Sequence, residues 1–183
     1  MAISKLFIIG AVALMCLSHP AMAKDMTVKV PGTAMPWTIK KLNENLPYGK
    51  NDGTAPAVAK GLTLTAGQSL HITATGSTTT VAGGGGFDPN GQAAFICDDH
   101  LGGSGMPFPS LYMNHGFYPV HLNELVAVFT DAKGRIVKSP FPIGSEMTIT
   151  VPEGAVAIQF GLNDDIYADN TGEIDVVVST PEP

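Results

Sequence analysis

The sequence predicts an all-β protein, an antiparallel β-sandwich, and three observations carry that expectation. Glycine and proline, at 21 and 14 residues, punctuate the chain throughout, and the runs between them are short and β-rich. In the clearest runs the apolar side chains fall on alternate positions, which buries one face of a strand and wets the other. No stretch sustains the 3.6-residue period of an amphipathic helix. Several strands at this spacing, joined by turn signals, are the pattern of two packed antiparallel sheets.

Residues 1–23 read as an export signal and stand outside the fold. Lys5 supplies a positive start, Leu6 to Leu17 is an uncharged apolar run, Ser18-His19-Pro20 breaks it, and Ala21-Met22-Ala23 is a small-x-small cleavage pattern. As a helix that run spans roughly 18 Å, short of the ~30 Å hydrocarbon core, so a membrane anchor is disfavoured. A lipoprotein site at Cys16 is weak because Met15 stands where a small residue is wanted. Cleavage after Ala23 predicts a periplasmic or secreted protein with no membrane insertion.

Loss of Lys5 takes the formal charge from -6 to -7. An acidic chain without a basic cluster is a poor partner for nucleic acid. Only Cys97 survives cleavage, so no internal disulfide can form. A small exported domain must then find stability in its core or in a bound ion.

Within the mature chain, residues 24–60 read as an N-terminal extension that packs on or joins the sandwich, and residues 61–180 as the sandwich itself. Thr27 to Val30 is a short strand, while Pro36-Trp37 and Leu46-Pro47-Tyr48-Gly49 are turns that lay an aromatic against the body. Further strands are expected at Leu62 to Leu64, Ser69 to Thr75, Val120 to Thr130, Glu146 to Val151, Ala155 to Leu162 and Glu173 to Ser179. Turn residues separate them at Thr65 to Gly67, Asp88 to Gly91, Asp131 to Gly134 and Pro152 to Gly154. Gly83 to Gly86 lacks the Lys-Ser/Thr end of a phosphate loop and reads as a connector.

Chemistry concentrates between the last two strands, in Gln159 to Val178. Asn163, Asp164, Asp165, Asp169 and Asn170 place five oxygen-bearing side chains within eight residues. Calcium is a hard cation that takes six to eight oxygens from carboxylates, amides, carbonyls and water. Zinc or copper would want His or Cys, which the loop lacks. Asp, Asn and Gly are also the common turn residues, so an ordinary hairpin loop has the same composition.

The order strand, Asn-Asp, spacer, Asp169-Asn170-Thr171-Gly172, strand resembles the calcium loop of the PA-IL type of galactose-binding lectins. The resemblance extends upstream to Ala66-Gly67 leading into Leu70-His71-Ile72-Thr73-Ala74 and Gly76. It also takes in Asp88-Pro89-Asn90-Gly91 leading to Phe95-Ile96-Cys97, and spans roughly Gly61 to Ser179, with Gly102 to Leu122 longer than the family usually needs. It implies a galactose-binding-domain-like or jelly-roll sandwich and a Ca2+ cofactor. The implied ligands are the side chains of Asp164, Asp169 and Asn170 and the carbonyls of Ile166 and Thr80. It also implies a carbohydrate partner, a galactose-type glycan that meets Asp164 and Asn170 at the ion and Asp88 and Asn90 on a second loop. Where the family typically has His before this Pro, the chain has Asp88, whose carboxylate can accept a sugar hydroxyl. A contact of this size is weak alone, and multivalent presentation, as by a homo-oligomer, would strengthen it.

Two other readings stand beside this one. A calcium loop used only for stability would suit an exported module that binds a protein partner. Asp98-Asp99-His100 would suit a hydrolase with His100 as base and Asp99 as its orienting partner. The chain has no Gly-x-Ser-x-Gly, His-Glu-x-x-His or Cys-x-x-Cys motif. Acids beside Cys97 raise a thiol's pKa, and a buried structural role is expected for it. Trp37 and Tyr48 are expected to anchor their segment, although an exposed aromatic would also stack on a sugar.

Overall fold

The computed structural model describes residues 25–40 and 42–180, so the export-signal reading lies outside the described residues. The described residues form ten strands: β1 (Asp25–Pro31), β2 (Ala57–Val58), β3 (Ser69–Thr78), β4 (Gln92–Ile96), β5 (His121–Leu122), β6 (Leu125–Thr130), β7 (Phe141–Pro142), β8 (Glu146–Thr150), β9 (Ala157–Leu162) and β10 (Gly172–Ser179). One sheet has the order β1-β10-β3-β8 and the other β2-β9-β6-β7, while β4 and β5 make a separate ribbon. Every pairing between these strands is antiparallel. The architecture is an antiparallel β-sandwich, as the alternating strands predict.

Alternation explains how the two sheets meet. Val28 and Val30 of β1, Leu70 and Ile72 of β3, and Ile174, Val176 and Val178 of β10 turn inward. They share one core with Leu125, Ala127 and Phe129 of β6 and Ile158, Phe160 and Leu162 of β9. Full burial of such side chains stabilises by roughly 1.5–3 kcal/mol each. Strand β6 is buried at every position, which is why its sequence is continuously apolar from Leu125 to Phe129 rather than alternating. Val126 packs in a second small cluster with Met113 and Val120, residues of the long 102–122 insertion.

The N-terminal segment joins both sheets. β1 forms an edge of the first by pairing with β10, and β2 forms an edge of the second by pairing with β9. Between them Trp37 and Tyr48 are fully buried with ring centroids 4.4 Å apart. The Trp37 indole N–H donates to the Leu46 carbonyl at 3.1 Å. Both aromatics are therefore anchors.

Two sequence expectations are corrected, and one segment left open is filled in. Leu62 to Leu64 is not a strand, although Leu62 is buried; Gly61, at φ +85°, turns the chain just before it. Val120 to Thr130 is two strands, because Asn123 takes φ +63° and interrupts the ladder between β5 and β6. The 102–122 insertion carries two short 3-10 turns, Pro109–Tyr112 and His115–Phe117.

Candidate functional site

The loop between β9 and β10 closes one end of the sandwich, and four of its five oxygen-bearing side chains divide into two pairs. Asn163 and Asp165 turn toward the insertion. The Asn163 amide accepts from Ser110 N–H at 2.9 Å and donates to the His121 carbonyl at 3.0 Å. Asp165 Oδ2 accepts from Ser104 N–H at 2.7 Å. A Cβ on Gly102 would lie 2.1 Å from the Asp165 carboxyl carbon, so only glycine lets the insertion lie this close. These two residues are structural pins.

Asp164 and Asn170 face each other instead. Asp164 is 3% exposed, and its Oδ1 accepts from the N–H groups of Asp165 at 2.7 Å and Ile166 at 3.2 Å. Its Oδ2 accepts from Asn170 Nδ2 at 2.8 Å. Burial pushes the Asp164 carboxyl up to about 6, against the pull of these three donors, and the neighbouring Asp165 charge adds to the rise. A cation beside it would reverse that shift. The second N–H of the Asn170 amide goes to the Gly32 carbonyl at 3.1 Å. With acceptors at both of these bonds, the orientation of the amide is fixed and Oδ1 points elsewhere.

That oxygen has no partner. Among the described residues, the buried side-chain polar atoms left without a hydrogen bond are Asn170 Oδ1, Asp169 Oδ1 and Asn123 Oδ1. All three are acceptors, and two come from adjacent residues of this loop. An unpartnered buried oxygen costs about 1–3 kcal/mol, so such a group calls for a donor or a cation. No three His, Cys, Asp or Glu side chains gather around one point among the described residues. The side chains that meet here offer amide and carboxylate oxygens and no His or Cys, a set closer to the needs of a hard cation than to those of zinc.

The remaining expected residues lie around the same end. Thr79 N–H donates to the Thr171 carbonyl at 3.0 Å, and Thr171 N–H to the Thr79 hydroxyl at 3.0 Å, so Thr80 follows a segment tied to the loop. Ile166 is held through its N–H by Asp164. Phe87 bridges to Thr78, which stands opposite Gly172, and this brings the Asp88 turn to the same end. Asp88 is exposed, with Oδ1 accepting from Asn90 N–H at 2.9 Å and Asn90 Nδ2 at 3.2 Å. Asn90 Oδ1 accepts from Ser145 N–H at 3.0 Å, so this amide holds the turn to the chain after β7.

Asn123 was not among the residues singled out in the sequence. It is fully buried, its N–H donates to the Asn163 carbonyl at 2.8 Å, and its Nδ2 donates to Thr78 Oγ1 at 2.7 Å. It thereby bridges the two sheets at the mouth of the loop. Asparagine followed by Glu124 inside the Val120 to Thr130 run was the one available signal, since asparagine tolerates positive φ better than most residues.

The hydrolase constellation is not held together. His100 Nδ1 and Asp99 Oδ1 are 4.0 Å apart with side chains 70% and 66% exposed, and the same nitrogen lies 3.2 Å from the Cys97 carbonyl oxygen. Cys97 is buried, and burial, then the charges of Asp164, Asp165, Asp98 and Glu124, push its thiol up, the opposite of what an activated nucleophile needs.

Fold and site together define a small antiparallel sandwich that carries an oxygen-lined loop at one end. No protein-family model matches the chain, and no curated protein matches it. Among solved structures the chain is similar to one titled "EclA N-terminal domain; PllA-like lectin". The two are 19% identical, the match covers 85% of this chain and 96% of that one, and the TM-score is 0.47. A likeness at this level does not carry an activity from one protein to another.

Proposed function

We propose that this protein is an exported, non-catalytic, calcium-dependent carbohydrate-binding module with a preference for galactose-type diols. The observation that carries the reading is the set of buried, unpartnered acceptor oxygens at Asp169 and Asn170, beside the buried Asp164 carboxylate. Two buried acceptors without donors in one loop suit a cation bound between them. The sequence resemblance to the PA-IL type of lectins assigns the same three side chains.

Asp164, Asp169 and Asn170 would hold calcium, with the carbonyls of Ile166 and Thr80 completing the protein's share. Five protein oxygens leave positions open among the six to eight calcium takes, and two adjacent sugar hydroxyls can fill them. The loop's own residues supply rigidity: Asn163 and Asp165 pin it to the insertion, and Tyr167 N–H is held by Asp52 Oδ1 at 2.9 Å. The exposed Asp88 carboxylate would meet the sugar from the second loop.

One observation favours a different partner. Phe95 and Ile96 of β4, Leu101 after it, and Met106 and Leu111 of the insertion are exposed apolar side chains, a composition suited to protein contact. In that reading the calcium is structural.

Calorimetric titration with calcium, followed by retention on a galactose matrix and release by chelator, tests the proposal. Calcium binding with sugar retention is the expected result. Calcium binding with a blank glycan array would move the function to the protein partner, and no calcium binding would make the loop an ordinary turn. Intact mass of exported material should begin at Lys24.

A further inference from the structure

We propose that Asn123 Oδ1 is a further oxygen of the same cation site, so that the site is assembled from both sheets rather than from one loop. The inference rests on the calcium reading above and adds a residue that neither the loop motif nor its resemblance supplies.

The placement of Asn123 is fixed from two sides. Its backbone N–H bonds the carbonyl of Asn163, the residue immediately before Asp164. Its side-chain Nδ2 bonds Thr78 Oγ1 at 2.7 Å, and Thr78 stands opposite Gly172, two residues after Asn170. The amide of Asn123 is thus held between the start and the end of the loop that carries Asp164, Asp169 and Asn170. Its Oδ1 is buried, lacks a partner and shares that condition with the oxygens of Asp169 and Asn170 and with no other side-chain atom of the described residues.

The backbone supports a dedicated role. Asn123 adopts φ +63°, a conformation that L side chains rarely take, in the middle of what would otherwise be one continuous strand. The break is what carries this side chain across to Thr78. A buried amide with one end bonded and the other bare costs stability in the absence of a ligand, and a cation removes that cost.

Two variants test the inference by calcium calorimetry and by unfolding midpoints in calcium and in chelator. Asn123→Gly tolerates the positive φ and removes the oxygen; calcium affinity should fall roughly 10–100-fold. Asn123→Asp places an oxygen at both ends of the group and adds a charge. It should be destabilised in chelator, with a calcium-induced rise in midpoint larger than that of the unsubstituted protein. If the unsubstituted protein binds no calcium, the function proposed above fails. If it binds calcium while Asn123→Gly keeps its affinity and Asn123→Asp loses stability equally in calcium and chelator, only the role of Asn123 is overturned.

Discussion

Asp165 and Ser104 lie 61 positions apart in the chain and meet at 2.7 Å, carboxylate oxygen to backbone N–H. This contact ties the insertion to the loop that carries the candidate ligands. Asp165→Ala should cost about 1.5–3 kcal/mol, the range for a hydrogen bond to a charged group. Hydrogen exchange should rise first at residues 102–106. A calcium-induced rise in the unfolding midpoint should persist, which would separate Asp165 from the ligands; its loss would place Asp165 among them.

Asp169 gives the opposite pattern. Its buried Oδ1 makes no hydrogen bond within the protein. Asp169→Ala should leave the unfolding midpoint in chelator nearly unchanged while abolishing the rise on adding calcium. At free calcium about 100 times the dissociation constant, the lost stabilisation is roughly 2.7 kcal/mol. A variant that still responds to calcium would remove Asp169 from the site.

Glu124 sets a pH dependence of its own. Burial raises its carboxyl to about 7 from the ordinary 4.5; the His121 N–H pulls it down, and the Asp98 charge pushes it up. Between those values the folded chain holds a proton that the unfolded chain has released, so stability falls as pH rises through that window. Glu124→Gln keeps an acceptor for His121 and removes the titration. Its unfolding free energy should vary less from pH 4.5 to 7 and exceed that of the unsubstituted protein at pH 8, by on the order of 3 kcal/mol at most. Parallel pH profiles would show that Glu124 is not the source.

Gly172 opens β10 at φ +88°, and a Cβ there would lie 2.3 Å from the Ser77 carbonyl oxygen. Gly172→Ala should destabilise by more than about 1 kcal/mol, since it combines an unfavourable backbone with a steric clash. Because Asn170 is two residues away, calcium affinity should fall as well. Wild-type stability would show that β3 and β10 can separate at this point.

The strands that alternate were legible because one face of each is buried, as in Leu70, Ile72 and Ala74 of β3. Strand β4 was only partly legible: Ala93 to Ile96 is exposed on both faces, so no period marks it. In the loop, residue type showed that oxygen ligands were concentrated, and the resemblance selected three of them. It could not show that Asn163 and Asp165 are held by the insertion, because that depends on Ser104, Ser110 and His121, far away in sequence. Asn123 stayed hidden because the apolar run around it reads as unbroken strand, and its partners, Thr78 and Asn163, belong to other elements.

The antiparallel register of β1 and β10 pairs Asp25 with Ser179 and Pro31 with Glu173. Pro31 and Glu173 lie at the loop end, so Asp25 and Ser179 sit about 20 Å away along the strands, at the opposite end. A molecule tethered through either of those positions, to a bead, a sensor surface or a fused carrier, presents the β9–β10 loop outward. Many copies attached in this way would aim their loops in one direction, and the avidity of such an array would be set by its spacing.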